Sequence, residues 1–212
     1  MYIKSFTFND FYENTYLLYD NSKECAIIDP GCMTMAEQKE LSGFIEDHQL
    51  KPVLLINTHC HIDHILGNLY ISKKYNLPLG SHRGEQVVLD SGLQVSTMYG
   101  IPYDKSPDIT VFYEENDIIS FGNTKLKVLF TPGHSPASIC LYDEESKKLM
   151  AGDVLFEGSI GRTDLPGGNY DTLIESIKSR IFVLPDDTKV FPGHGPSTTV
   201  GHEKRTNPFF KD

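Results

Sequence analysis

The sequence predicts an α/β chain made of two similar halves that offer their strand ends to one cleft. Three observations carry this reading. Short apolar runs, closed by Gly, Pro, Asn or Asp, interleave with stretches of helical spacing along the 212 residues. An apolar strand leads to a threonine and a histidine twice, at Thr58-His59 and at Thr131-Pro132-Gly133-His134. A strand also runs into a lone aspartate twice, at Ile28-Asp29 and at Gly152-Asp153.

Residues 1 to 30 alternate apolar and polar side chains through Phe6, Phe8, Tyr16-Leu17-Leu18-Tyr19 and Ala26-Ile27-Ile28. Turns at Asn9-Asp10 and Asp20-Asn21-Ser22 divide them into antiparallel strands that end at Asp29-Pro30-Gly31. Residues 34 to 49 carry a helix with Met35, Leu41, Phe44 and Ile45 inward, and His48 at its polar end reads as a surface side chain. A strand over 53 to 57 and a helix over 65 to 75 follow. Pro78-Leu79-Gly80-Ser81 is a short strand, and the lone His82 after it reads as structural. Residues 83 to 99 are helical and 100 to 116 form a surface connection. Strands return at 118 to 121, 125 to 130, 138 to 142 and 149 to 152, with a hairpin turn at Asp143-Glu144-Glu145-Ser146. The glycine-rich stretch 158 to 168 lacks the spacing of a phosphate cradle, and no helix starts directly from it. A helix with Leu173, Ile174, Ile177 and Ile181 inward precedes a strand over 189 to 191. The tail from His202 mixes charge with Asn207-Pro208-Phe209-Phe210. The expected organisation is a single domain over 1–212.

Composition narrows the function. A chain of this length, 39% hydrophobic, buries most of its apolar surface. No apolar run approaches the roughly 20 residues of a membrane span, so no membrane partner is expected. Met1-Tyr2-Ile3-Lys4-Ser5-Phe6 lacks the layout of a signal peptide, which makes a cytoplasmic location the expectation. Cys25, Cys32, Cys60 and Cys140 show no disulfide-scaffold spacing and read as reduced thiols. The net charge of −10 argues against nucleic acid, which needs a basic face, and leaves room for a small anionic substrate held by one local cation. Nothing in the sequence fixes an oligomeric state.

Thr58-His59-Cys60-His61-Ile62-Asp63-His64 sits where the apolar run Val53-Leu54-Leu55-Ile56 hands over to a helix. His59 and His61 are two apart, so in extended backbone they point the same way and Cys60 points away. Asp63 and His64 begin the next turn and can face a second ion. Such a cluster is poor core material when neutral and self-repelling when protonated. His134 and His194 each follow Pro-Gly after an apolar strand, and Asp153 sits at a strand end. Taken singly, each of these three also has a structural reading. Together the positions give five histidines and two aspartates, enough for a two-metal site.

This set, in this order, resembles the metallo-β-lactamase fold superfamily, and the resemblance spans nearly the whole chain. Gly158-Ser159-Ile160-Gly161-Arg162-Thr163-Asp164-Leu165-Pro166-Gly167-Gly168, Phe191-Pro192-Gly193-His194-Gly195-Pro196 and Glu203-Lys204-Arg205-Thr206-Asn207-Pro208-Phe209 look like the short bacterial glyoxalase II-like hydrolases. The resemblance implies a four-layer αβ/βα sandwich, two mixed sheets with outer helices and the metals at one edge. It implies two divalent ions, with zinc foremost and iron or manganese as alternatives. His59, His61 and His134 would hold the first, Asp63, His64 and His194 the second, and Asp153 would bridge them. Longer glyoxalase II enzymes have a helical C-terminal region that contributes to glutathione binding. No such region is expected before Asp212, so glutathione recognition is not carried over.

The implied chemistry is attack of a metal-bridging hydroxide on the acyl carbon of a small thioester such as a hydroxyacylglutathione, with Asp63 and Asp153 as the catalytic carboxylates. A thiolate leaves without a strong general acid, because its conjugate pKa is roughly 8.5. Arg162 is the candidate for a substrate carboxylate, with a loop-shaping pair to Asp164 as the competing reading. Lys204 and Arg205 are weaker candidates. Cys60 reads as packing rather than as a ligand. The alternative function is a mononuclear iron persulfide dioxygenase. That group shares the fold, a Cys inside the His-x-His-x-Asp-His segment and Gly-Arg-Thr-Asp.

Overall fold

A computed structural model describes residues 1–211. The first sheet is built from β1 (Tyr2–Phe8), β2 (Glu13–Tyr19), β3 (Glu24–Ile28), β4 (Lys51–Ile56), β5 (Leu79–Ser81) and β6 (Ile109–Phe112), in that spatial order. Its first three strands form an antiparallel meander, and β3 to β6 are parallel. Parallel neighbours need crossovers. These are α1 (Met35–Asp47), the pair α2 (Ile62–Ile65) and α3 (Asn68–Tyr75), and the pair α4 (Gln86–Asp90) and α5 (Gly92–Tyr99).

The second sheet repeats the plan. β7 (Ile118–Phe121), β8 (Thr124–Phe130), β9 (Ile139–Asp143) and β10 (Lys148–Gly152) form a meander. After the small hairpin of β11 (Leu155–Phe156) and β12 (Ser159–Ile160), α6 (Tyr170–Ser176) crosses over to β13 (Lys189–Pro192), parallel to β10. β14 (Thr198–Thr199) closes the edge and α7 (Val200–Thr206) follows it.

The period of two along each strand sorts side chains into three apolar layers. Tyr16 and Leu18 of β2, Ala26 and Ile28 of β3, Leu126 and Val128 of β8 and Ile139 and Leu141 of β9 meet between the sheets. Leu17, Cys25 and Ile27 point the other way, toward Leu41 and Ile45 of α1. Cys140, Leu149 and Ala151 face Leu173 and Ile177. The result is a four-layer αβ/βα sandwich. Each fully buried Leu or Ile contributes roughly 1.5–3 kcal/mol. Asp20, at the end of β2, ties the sheets together by accepting from Asn123 N–H at 2.7 Å and Thr124 Oγ–H at 2.9 Å.

Several expectations are corrected. The surface connection contains β6, a four-residue strand too short for its alternation to stand out between Pro107 and the charges that follow. The helix over 65 to 75 is two helices that start earlier and break at Gly67, whose N–H donates to Pro30 O at 2.7 Å. The helix over 83 to 99 is a short turn plus α4 and α5, broken at Ser91. Met35 is exposed, because it opens the first turn of α1. The glycine-rich stretch is as expected: no helix starts directly from it, and Asn169, between it and α6, caps that helix by accepting from Thr172 N–H at 2.9 Å. α7 starts at Val200, capped by Thr199, and runs into the charged tail, which was not read as helical.

Candidate metal centre

All seven candidate ligands come together at one edge of the sandwich. His59 and His61 lie in the loop after β4, with Asp63 and His64 on α2. His134 is on the β8–β9 loop, Asp153 directly follows β10, and His194 follows β13. Both Pro-Gly-His turns need their glycine. A side chain at Gly133 would overlap the backbone of Leu173, and one at Gly193 would overlap Asp153 Oδ1. Each turn thus packs its backbone close against a neighbouring residue. From the first sheet, Tyr16 Oη–H donates to Pro192 O at 2.6 Å and Asn14 Nδ2–H to Gly195 O at 2.9 Å, which pins the His194 turn.

Two sets of facing atoms result. In one, His134 Nε2 is 2.9 Å from His61 Nδ1 and 3.3 Å from His59 Nε2. In the other, Asp63 Oδ2 is 3.0 Å from His194 Nε2 and 3.5 Å from His64 Nε2. Asp153 Oδ2 stands 3.5 Å from both His134 Nε2 and His194 Nε2. Its Oδ1 is 3.4 Å from His64 Nε2.

Elements outside the sets fix the imidazoles. His134 Nδ1–H donates to Arg162 O at 2.8 Å and His194 Nδ1–H to Phe11 O at 3.1 Å, which turns Nε2 of each toward the centre. Behind His64, Nδ1 approaches Asp29 Oδ2 at 3.3 Å and Glu13 Oε1 at 3.8 Å. Asp29 also accepts from Thr58 N–H at 2.7 Å, Thr58 Oγ–H at 2.6 Å and Asn57 Nδ2–H at 3.3 Å. Asp29, His59 and His64 also lie close enough to count as a third grouping. The Asp29 oxygens, however, are already occupied by the chain's own donors.

The electrostatics divide the two sets. Burial, then repulsion from the other imidazoles, pushes His59 well below the usual histidine range. Burial and His134 push His61 down to about 4. Burial also lowers His134, against the pull of Asp153. These three are neutral at pH 7, with lone pairs available. Burial would lower His64 and His194 too, but Asp63 and Asp153 outweigh it and hold both up. Burial raises the two aspartates in turn, and His64 and the neighbouring imidazoles outweigh it and hold both down.

The residues fit divalent metal. Two ligands about 2.1 Å from one tetrahedral ion stand about 3.4 Å apart, and the facing atoms here span 2.9 to 3.5 Å. Among the described residues, fully buried His64 has no hydrogen-bond partner at either nitrogen, and Asp153 Oδ1 has none. Such groups are costly to bury unpaired.

The remaining predicted residues divide. Arg162 reaches the centre through its main-chain oxygen, while its guanidinium is held by Asp164 at 2.7 and 2.8 Å. Lys204 and Arg205 are not brought to the centre, and pair with Asp186 at 2.8 and 3.6 Å. Cys60 is buried, its thiol pushed well up by burial and then by Glu85. His82 stacks on Phe130 and pairs with Glu114 at 3.0 Å, outside both sets. Asp29, Glu13 and Glu85 were missed as site residues. Of these only Asp29 carried a signal, its place at a strand end.

Residues 9–202 match the metallo-beta-lactamase superfamily. The chain is similar to hydroxyacylglutathione hydrolase GloC of Haemophilus influenzae, 37% identical and covering 94% of this chain and 93% of that one. Among solved structures it is similar to BLEG-1 B3 metallo-beta-lactamase, with TM-score 0.90, 34% identity and full coverage of both chains. It is also similar to TTHA1623 in a di-iron-bound form, with TM-score 0.88, 35% identity, and coverage of 97% of this chain and 99% of that one. ETHE1 from Myxococcus xanthus, 24% identical with TM-score 0.80 over 98% of this chain and 84% of that one, shares the fold. Matched across almost its whole length, the chain belongs to the metallo-beta-lactamase superfamily.

Proposed function

We propose that this chain is a two-metal hydrolase of small thioesters, of the glyoxalase II type. His59, His61 and His134 would hold one ion, Asp63, His64 and His194 the other, and Asp153 would reach both. The observation that carries this is Asp153 Oδ2 standing 3.5 Å from an imidazole nitrogen of each set. One carboxylate oxygen within reach of both sets suits two adjacent cations. The similarity to GloC supports the thioester, and the di-iron form of TTHA1623 supports two ions. Zinc suits the nitrogen- and oxygen-rich donors, with iron or manganese as alternatives.

When bound, the ions would supply hydroxide at neutral pH, bringing the pKa of water from 15.7 to about 7, and polarise an acyl carbonyl. The chain's part is to hold that centre rigid. Arg162 O and Phe11 O fix the tautomers of His134 and His194. Asp63 and Asp153 bring two carboxylates to the imidazoles, where they orient the attacking water. The thiolate leaves unaided, since its conjugate acid has a pKa of roughly 8.5. A substrate carboxylate would reach Arg162 only in competition with Asp164, so anionic thiol carriers bind weakly. The ring of Phe156 stands 6.3 Å from that of His194 and offers an apolar wall beside it. Four buried free thiols support a reducing compartment such as the cytoplasm.

Three assays, each run on the protein as purified without added metal and on zinc-loaded and iron-loaded preparations, test the proposal: thiol release from a hydroxyacylglutathione, oxygen uptake with a glutathione persulfide, and opening of a chromogenic β-lactam. The expected result is thiol release that a chelator abolishes and added metal restores, with no oxygen uptake. Oxygen uptake or β-lactam opening without thioester cleavage would overturn it.

A further inference from the structure

Glu85 closes the short turn Arg83–Glu85 before α4 and is fully buried. Its Oε2 accepts from Cys60 N–H at 2.8 Å. Its Oε1 accepts from Ser135 Oγ–H at 2.6 Å and from Ala137 N–H at 2.9 Å. Cys60 lies between His59 and His61, and Ser135 follows His134. One carboxylate therefore joins the two loops that carry the three imidazoles of one set. The loops come from different halves of the chain, one after β4 and the other after β8. Among the described residues, no lysine, arginine or histidine pairs with Glu85, and burial outweighs its three donors and pushes the carboxyl up. A buried anion is costly without a cation. A divalent ion among the imidazoles that these loops carry would supply the missing charge.

We infer that Glu85 is a positioning residue for the His59, His61 and His134 ion. It sets the spacing of the two loops, and its charge favours a cation among the imidazoles they carry. This rests on the two-metal reading above. Gln at this position has nearly the same shape but cannot replace it. Its amide nitrogen must face either Cys60 N–H or Ala137 N–H, donor against donor, and its charge is gone.

The test is competition for zinc against a chromophoric chelator, well below the melting temperature, with the metal-free melting temperature measured in parallel. The parent is titrated first, and failure to bind two ions would overturn both readings at once. With two ions in the parent, Glu85→Gln is expected to weaken one of them by about 10- to 100-fold and the other by less than about threefold. A merely structural role would lower the melting temperature and leave both affinities alone. That result, or an equal loss at both ions, would overturn the inference while leaving the two-metal reading standing. If Glu85→Gln does not fold, Ser135→Ala carries the test, since it removes one donor and leaves the other two bonds. It should weaken the same single ion several-fold, and unchanged affinities would overturn the inference.

Discussion

Asp29 follows β3 in the first sheet and Asp153 follows β10 in the second, and their carboxylates meet opposite surroundings. Asp29 accepts three hydrogen bonds from Asn57 and Thr58 and stands behind His64. Asp153 has one oxygen with no hydrogen bond and faces imidazoles of both sets. The backbone explains the difference. In the first half the left-handed residue is Asp29 itself, at φ 48°. In the second it is Gly152, also at φ 48°, and the aspartate comes one residue later. Aligned on that bend, Asp29 matches Gly152 rather than Asp153. An aspartate enters the left-handed region more readily than most residues, and the bonds from Asn57 and Thr58 hold Asp29 in place there. A one-residue offset thus turns the same strand-end device into a brace in one half and an open ligand in the other.

The largest expected effect is at the open carboxylate. Asp153→Ala should reduce turnover at least about 1,000-fold, on the order of 4 kcal/mol, and lower metal content at both positions. Full retention of one ion would show that the two sets do not share it.

The brace should be milder. Asp29→Asn removes the charge behind His64 and turns an amide nitrogen either against the Thr58 N–H and Asn57 Nδ2–H donors or toward His64 Nδ1, so metal affinity should fall by about 10- to 100-fold, with two ions still bound at saturating metal. If it empties the site as Asp153→Ala does, the two aspartates play the same part and the contrast fails.

Asp20 braces the two sheets rather than the centre, so Asp20→Ala should cost stability of about 2–3 kcal/mol in urea unfolding and leave metal affinity unchanged. Burial raises this carboxyl, but the bonds from Ser22, Asn123 and Thr124 outweigh it and hold the pKa at about 2. Because the folded value lies below the unfolded value of about 3.9, the unfolded chain takes up the proton first. The stabilisation is complete above about pH 4 and is lost as pH falls toward 2. The gap between parent and variant should therefore narrow over that window. A gap that stays constant would mean the ionised carboxylate is not what holds the sheets together.

The smallest effect should be at Cys60. Its thiol is buried and outside both sets, so Cys60→Ala should stay within a few-fold of the parent in turnover and metal content. A loss beyond about 100-fold, on the order of 2.7 kcal/mol, would give the thiol a part in the chemistry.

The candidate ligands were legible because chemistry crowds them. Four potential ligands fall in the six residues from His59 to His64, and Pro-Gly twice precedes a histidine at a strand end. The doubled strand pattern announced the two sheets. The supporting carboxylates were not legible. Glu85 sits in a stretch that reads as ordinary helix, and its donors are main-chain and hydroxyl groups of distant loops, which leave no mark on local spacing. Glu13 looks like one polar residue in an alternating strand, yet it is buried behind His64. Lys204 and Arg205 looked available because a tail shows its charges without its partners, and Asp186 takes both. β6 stayed unread because four residues carry too little pattern to separate a strand from a loop.

Anomalous X-ray scattering from crystals of the zinc-loaded parent tests the central claim most directly. Two peaks are predicted, one among His59, His61 and His134 and one among Asp63, His64 and His194, with Asp153 contacting both and Asp29 contacting neither. A single peak, or a metal seated on an Asp29 oxygen, would contradict the account.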